Sequence, residues 1–367
     1  MIAPAKYIFL LVSILALQCG GSKKQQQVDR IPGSSLEAYG RYQIIANKEL
    51  ELISSGVHFS FSFQGKDCKL LYSLPDKNNH SYLQYEIDDK YQRRIRIEGN
   101  SKTPLLIDAG HDGKHTVTIY KTTEATSGSI IIEGIEAASV KSVPPARLPL
   151  IEFIGNSITC GAAADTADMP CGVGQYHDYH NAYFAYGPRV ARALKTNFIL
   201  NSVSGIGIYR TWNKEFPSMP LVYEKLHFEP GETQLWDYKK YSPAIVSIAL
   251  GTNDLSNGDG VNRRLPFDSA AFVNHYVRFI QQVRSHYPDA QLALLSSPMV
   301  TGRNGRLLEN SLLVVKQKVE RLFPSSKPIA LHFFKSIPPH GCGGHPGVED
   351  HAIMAAELVP FFKNLLR

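Results

Sequence analysis

Cysteine is scarce in this sequence, five among 367 residues. No pair of them stands at zinc-ligand spacing with histidines, so no metal centre is indicated. No glycine-rich segment completes a Walker or dinucleotide pattern, which argues against phosphate and nicotinamide chemistry and against any cofactor. Neither sign of charge dominates: 39 basic and 33 acidic residues leave a net +6. That charge is spread along the chain and forms no basic stripe, so nucleic acid is not the expected partner. Nor is there a long apolar run, since the one near the N-terminus is about 11 residues against the ~20 a membrane-spanning helix needs. What remains is a composition of 43% hydrophobic and 20% charged residues, that of a globular protein able to bury a full core.

The N-terminus is set apart. Lys6 is the only charge ahead of YIFLLVSILALQ, residues 7–18, and residues 1–18 fit a secretory signal peptide. The following CGGSKKQQQ resembles the start of a bacterial lipoprotein, in which the cysteine is lipidated and a polar tether follows. That resemblance implies lipidation at Cys19, a tether over residues 19–35, and a location in the periplasm, the outer membrane or at the cell surface. Membrane contact is expected only through this anchor. Gln18 departs from the small residue usual before such a cysteine. Export permits disulfides among Cys68, Cys160, Cys171 and Cys342. A local bridge from Cys160 to Cys171, across a loop of small and polar residues, is one of several pairings open.

The rest divides by periodicity. Residues 36–140 alternate with period two, as in VHFSFSF, SYLQYEID and HTVTIYKTT, with Gly, Asn, Asp and Pro between the runs. This spacing predicts an antiparallel β-sandwich of the jelly-roll type. KSVPPARLP, residues 141–149, reads as a linker. From residue 150 to 367, near-continuously apolar strands alternate with amphipathic helices, which predicts an α/β domain with a parallel sheet covered on both faces. Neither half contains an internal repeat.

In the second half, four polar or glycine-rich segments directly follow apolar runs. They are GNSIT (155–159), NSVSGIGI (201–208), GTND (251–254) and GGHPGVEDH (343–351). Each alone is an ordinary strand-end feature: Ser157 a helix cap, Gly205 and Gly207 turn residues, Asn253-Asp254 an Asx turn, His345 a surface residue before proline. Strand carboxyl ends converge on one rim in a parallel sheet, so the four segments can meet there. Together they hold the parts of an acyl-transfer site. Ser157 is a hydroxyl that needs a base, and His345 is a base of near-neutral pKa. The amides of Ser157 and Gly205 and the side chain of Asn253 are oxyanion donors, each worth about 10²–10³ in turnover.

The order Ser, Gly, Asn, His in these contexts resembles the SGNH hydrolases, with GNSIT standing where that superfamily has a Gly-Asp-Ser block. A jelly roll joined to such a domain is similar to carbohydrate esterase family two, whose members remove O-acetyl groups from polysaccharides such as xylan and glucomannan. The resemblance implies a three-layer α/β sandwich, an acetyl-enzyme intermediate, and an acetylated polysaccharide or oligosaccharide as partner. Two positions depart from the superfamily pattern. Asn156 replaces the usual Asp before the nucleophile. Cys342 stands three residues before His345, where the acid of a triad belongs, so the reading is a Ser157–His345 dyad, as some members of the family have. Asp350 lies where the last helix begins and reads as its cap.

Tyr209, Arg210 and Trp212 follow the glycine block and are expected on the same rim, with Tyr209 and Trp212 as candidate substrate contacts. A buried core position is the alternative for Trp212. His177 and His180 read as solvated loop histidines. Two competing functions stay open at this point. One is a glycan-binding protein whose hydrolase half no longer turns over; the other is an esterase acting on peptidoglycan O-acetyl groups or short-chain lipid esters.

Overall fold

The computed structural model describes Met1 and residues 28–367. Residues 2–18 of the expected signal peptide and the expected lipidation site Cys19 lie outside the described residues. Among the described residues, eleven antiparallel strands form the N-terminal sheet, organised around the 16-residue strand His58–Ser73, which pairs with Ile130–Val143, Lys114–Lys121, Leu105–Asp108 and Ala38–Tyr39. Its alternation is literal: Phe59, Phe61 and Phe63 enter the core while Ser60 and Ser62 point away. Period two in a strand puts every second side chain on one face, so three phenylalanines in this register oblige that face to be covered. Its long partner, Ile130–Val143, shifts register three times. Such bulges bend a strand and let one sheet curl over its own core.

Two boundaries differ from the sequence reading. Val28–Pro32 pairs with residues 134–138, so the sheet takes up part of the stretch 19–35 that reads as a tether. Its sequence, VDRIP, has no alternation to betray it; the open edge of its partner makes it a strand. Likewise the last strand of the domain runs to Val143, into the predicted linker.

The C-terminal domain is a five-stranded parallel sheet in the order Asn197–Ser202, Leu150–Gly155, Ile245–Ala249, Gln291–Leu295, Ala330–His332. Every residue of the first, second and fourth of these is buried, as layers on both faces require. Helices Tyr186–Leu194 and Val348–Leu365 pack together over one face, Ser269–His286 and Gly302–Leu322 over the other. Leu150–Gly155 lies between its two sheet neighbours, so the loops after three adjacent strands open side by side. That is the topological position at which α/β sheets bind ligands.

Polar side chains cross the seam between the domains. Arg41, almost fully buried, donates to Asn201 Oδ1 at 3.1 Å, to the Tyr223 carbonyl at 2.9 Å and to the Lys225 carbonyl. Its guanidinium lies 3.9 Å from the centre of the Phe228 ring. Truncating it would strand several buried acceptors, each worth about 1–3 kcal/mol when left unpaired. Arg41→Ala is therefore expected to lower the unfolding free energy by about 3 kcal/mol, read as a shifted midpoint in urea; a shift under about 0.5 kcal/mol would show that the seam does not depend on it.

Candidate active site

Ser157 sits where the strand Leu150–Gly155 turns into the one-turn helix Ser157–Cys160. The turn is tight. A Cβ on Gly155 would lie 2.0 Å from Thr159 Oγ1, so only glycine fits. Asn156 caps the helix, its Oδ1 accepting the Ile158 amide at 3.1 Å; the carboxamide thus performs the loop hydrogen bonding expected of the usual Asp.

His345 comes from 188 residues further along, and its Nε2 lies 2.9 Å from Ser157 Oγ. Its other nitrogen, Nδ1, donates to the carbonyl of Cys342 at 3.2 Å. A carbonyl can only accept, so this bond assigns the proton to Nδ1 and leaves the Nε2 lone pair facing the serine. Burial lowers the pKa of His345 below the usual imidazole value, against smaller opposing effects of the Cys342 and Gly343 backbones. The ring is therefore neutral, and a base, at neutral pH. Asp350 does not reach this histidine in any hydrogen bond. Its carboxylate accepts the amides of Gly347 (2.7 Å) and His340 (2.8 Å) and contacts His340 Nδ1 at 2.8 Å, at the start of Val348–Leu365.

Cys342 is held on every side. Its amide donates to Ala163 at 2.8 Å, Gly341 donates to the His345 carbonyl at 2.8 Å, and its sulfur is bonded to Cys171. The local pairing Cys160–Cys171, one of those the sequence left open, does not form. Cys160 is free and buried, its sulfur 3.1 Å from Ser202 Oγ. The nucleophile helix turns Cys160 inward, toward Ser202 and Glu124, while the loop carrying Cys171 is bonded to the histidine loop.

The glycine block is pinned by its neighbours. Gly205 has φ +75°, and a Cβ there would lie 2.8 Å from Trp212 Cδ1. Asn253 Nδ2 donates to the Ile206 carbonyl at 2.7 Å, which spends one of its two hydrogens and orients the other. Asp254 accepts the amides of Ile208 and Tyr209 at 2.9 and 3.0 Å; burial pushes its pKa up to about 6, those bonds opposing. Asn253 and Asp254 are thus the struts of the neighbouring loop. Asp254 was legible as part of GTND, but its partners were not.

A cavity of about 790 Å³ brings Ser157, Gly205, Asn253 and His345 together, with Tyr176 and Trp212 on its walls. Met299, Val300, Thr301 and Asn304 close another side; nothing in their sequence signalled it. Trp212 is 41% exposed, hence a platform and not a core residue. Tyr209 is a correction: it lines no part of the cavity and packs on Phe267, Phe272 and His275, because Asp254 draws its amide inward. Arg210 is fully buried, donating to the carbonyls of Asp254 and Leu265. His177 and His180 are buried rather than solvated. His177 clusters with His80 and Asp178, their ligand atoms within 4.8 Å of one another. Asp178 already accepts His80 Nε2 (2.5 Å), the Tyr82 hydroxyl (2.7 Å) and the Gln175 amide (2.6 Å), with the Arg96 guanidinium 3.8 Å away. Asp178 is thus fully engaged in the seam between the domains, while His177 Nε2 is buried without a hydrogen-bond partner.

The same two-part organisation occurs in known proteins. Residues 38–146 match the model of the carbohydrate esterase 2 N-terminal domain, and residues 153–322 that of the GDSL-like lipase/acylhydrolase family. An acetylxylan esterase/glucomannan deacetylase of Cellvibrio japonicus is 26% identical over 337 residues, covering 90% of this chain and 89% of the relative. A family two carbohydrate esterase structure from the same organism superposes with a TM-score of 0.80 at 24% identity, over 93% of this chain and 98% of that one. Another, from Clostridium thermocellum in complex with cellohexaose, gives 0.78 at 25% identity over 90% and 99%. The chain belongs to carbohydrate esterase family two, within the SGNH hydrolases. It is a carboxylic ester hydrolase acting on carbohydrate.

In this esterase the Cys171–Cys342 bond ties down the residue whose carbonyl orients the imidazole. Replacing both cysteines by serine is expected to lower the unfolding free energy by about 2–4 kcal/mol and kcat by roughly threefold to tenfold, since a loosened ring spends less time aligned. Thermal melts and steady-state rates measure the two effects; unchanged kcat would restrict the bridge to stability.

Proposed function

We propose that this esterase removes O-acetyl groups from polysaccharides of the xylan or glucomannan kind, through a Ser157–His345 dyad and an acetyl-enzyme. The observation that carries the reading is the 2.9 Å contact of Ser157 Oγ with His345 Nε2 in a cavity that also holds Gly205 and Asn253. Curated relatives named acetylxylan esterase/glucomannan deacetylase, 26% and 27% identical to this chain, support the acetyl group and the glycan.

Ser157 Oγ attacks the acetyl carbonyl carbon as His345 Nε2 takes its proton. The amides of Ser157 and Gly205 and the free N–H of Asn253 receive the oxyanion. The imidazolium then protonates the departing sugar oxygen, leaving acetate esterified to Ser157. Water, deprotonated by the same nitrogen, attacks this ester and releases acetate. The Cys342 carbonyl stabilises the imidazolium by its dipole alone, a weaker aid than a carboxylate but sufficient to keep the tautomer. Trp212 offers a flat apolar face beside the nucleophile on which a sugar ring can lie. The same reading has the protein exported and held by lipid at Cys19. The signal-like residues 1–18 support this, as does the Cys171–Cys342 bond, which persists in oxidising compartments.

Ser157→Ala and His345→Ala are each expected to reduce kcat on an aryl acetate at least about 10³-fold; a Ser157→Ala rate equal to wild type would leave only a glycan-binding role. Because burial depresses the His345 pKa, the acidic limb of kcat/KM should have its midpoint below 6.5, and a midpoint above 7 contradicts a neutral-imidazole base. Trp212→Ala should raise KM for acetylated xylan about tenfold while leaving KM for the aryl acetate within about threefold. Acetate release compared across acetylated xylan, glucomannan and peptidoglycan identifies the glycan.

A further inference from the structure

The all-β domain reaches the catalytic loops at a point that the acyl-transfer scheme leaves unused. Glu124 follows the strand Lys114–Lys121 and is only 1% exposed. Its Oε2 accepts the amide of Ser204 at 2.7 Å and meets Cys160 Sγ at 3.5 Å. Ser204 immediately precedes Gly205, and Cys160 closes the single helical turn that begins at Ser157. One carboxylate oxygen therefore joins the two backbone segments whose amides are oxyanion donors in the proposed mechanism.

Burying a carboxylate is costly unless its bonds repay the lost hydration. Here it is presented rigidly. The fully buried Lys121 donates from Nζ to the carbonyls of Thr123 and Glu124, at 2.8 and 2.9 Å. On the far side of the glycine block, Asp254 holds the amides of Ile208 and Tyr209. The loop is thus gripped at both ends by buried carboxylates, one from each domain, with Gly205 between them.

We propose that Glu124 is a positioning residue for catalysis, supplied by the all-β domain, which aims the Gly205 amide at the oxyanion by holding Ser204 in register with the nucleophile helix. The inference rests on the acyl-transfer reading above. It makes the N-terminal domain part of the active-site scaffold and not only an appended module.

Two substitutions separate geometry from charge. Glu124→Gln keeps an oxygen acceptor at the same reach; Glu124→Asp keeps the charge and withdraws it by one methylene. On an aryl acetate, Glu124→Asp is expected to lose about tenfold to a hundredfold in kcat with KM changed less than about threefold, and Glu124→Gln to stay within about threefold of wild type. A boronic acid forming a tetrahedral adduct on Ser157 should bind Glu124→Asp more weakly in proportion to the loss in kcat. Wild-type kcat in both variants overturns the inference, even with a lowered Tm, since that is the mark of a purely structural anchor. A slow Glu124→Gln enzyme beside a Glu124→Asp enzyme at the wild-type rate also overturns it, in favour of a charge effect. Wild type and Ser157→Ala are assayed alongside. A wild-type rate no greater than that of Ser157→Ala overturns the acyl-transfer reading and this inference with it. An active wild type that is indifferent to Glu124 overturns the inference alone.

Discussion

A serine hydroxyl and an imidazole make a working pair only when the ring turns its lone pair toward the oxygen, and in this esterase one backbone carbonyl enforces that orientation. The Cys342 carbonyl accepts from Nδ1 of His345 and has no proton to give, so the tautomer follows from the chemistry of the acceptor. Much of the surrounding structure keeps that carbonyl in place: the hydrogen bond from the Cys342 amide to the Ala163 carbonyl, the one from Gly341 to the His345 carbonyl and the covalent link to Cys171. A carboxylate in the same role would add charge stabilisation of the imidazolium, but it would also have to be desolvated. With the carbonyl in that role, Asp350 is free to cap a helix.

The loop proposed to supply oxyanion donors shows the same division of labour. Backbone amides make good donors only where no other acceptor takes them and where the loop cannot relax. The glycine block achieves this through side chains that occupy the neighbouring amides and carbonyls: Asn253 on Ile206, Asp254 on Ile208 and Tyr209, Glu124 on Ser204. Glycine at 205 is required by its positive φ and by the indole of Trp212 lying against it. Buried polar networks of this sort specify one arrangement among many, because a partly satisfied alternative strands charges and amides in a low-dielectric interior. The seam between the domains, with Arg41 on one side and the His80–Asp178–Tyr82 cluster on the other, obeys the same logic.

Where sequence reasoning succeeded, the physics was local. Period two in VHFSFSF obliges a half-buried strand, and an apolar run ending in Gly-Asn-Ser obliges a strand end. Where it failed, the decision belonged to a neighbour remote in sequence. VDRIP is a strand because the edge of Ile130–Val143 is open beside it. Cys171 pairs with a residue 171 positions away, and separation along the chain gave no hint of that. Tyr209 turns away from the cavity, half-buried against the core, because Asp254, 45 residues further on, takes its amide. His177 and His180 read as solvated because their loop is polar, yet the first domain closes over them.

The sequence by itself determined two domains of different periodicity, the parallel-sheet architecture of the second, and four strand-end segments containing Ser157, Gly205, Asn253 and His345. These follow from side-chain pattern and turn chemistry, which act over a few residues. Only the tertiary structure decided the 2.9 Å approach of Ser157 to His345, the acceptor that orients the imidazole, the disulfide that secures it, and the reach of Glu124 into the glycine loop. Each of these is a contact between segments that chain direction leaves free to meet or to miss, and only the packing of one core against another sets them at bonding distance.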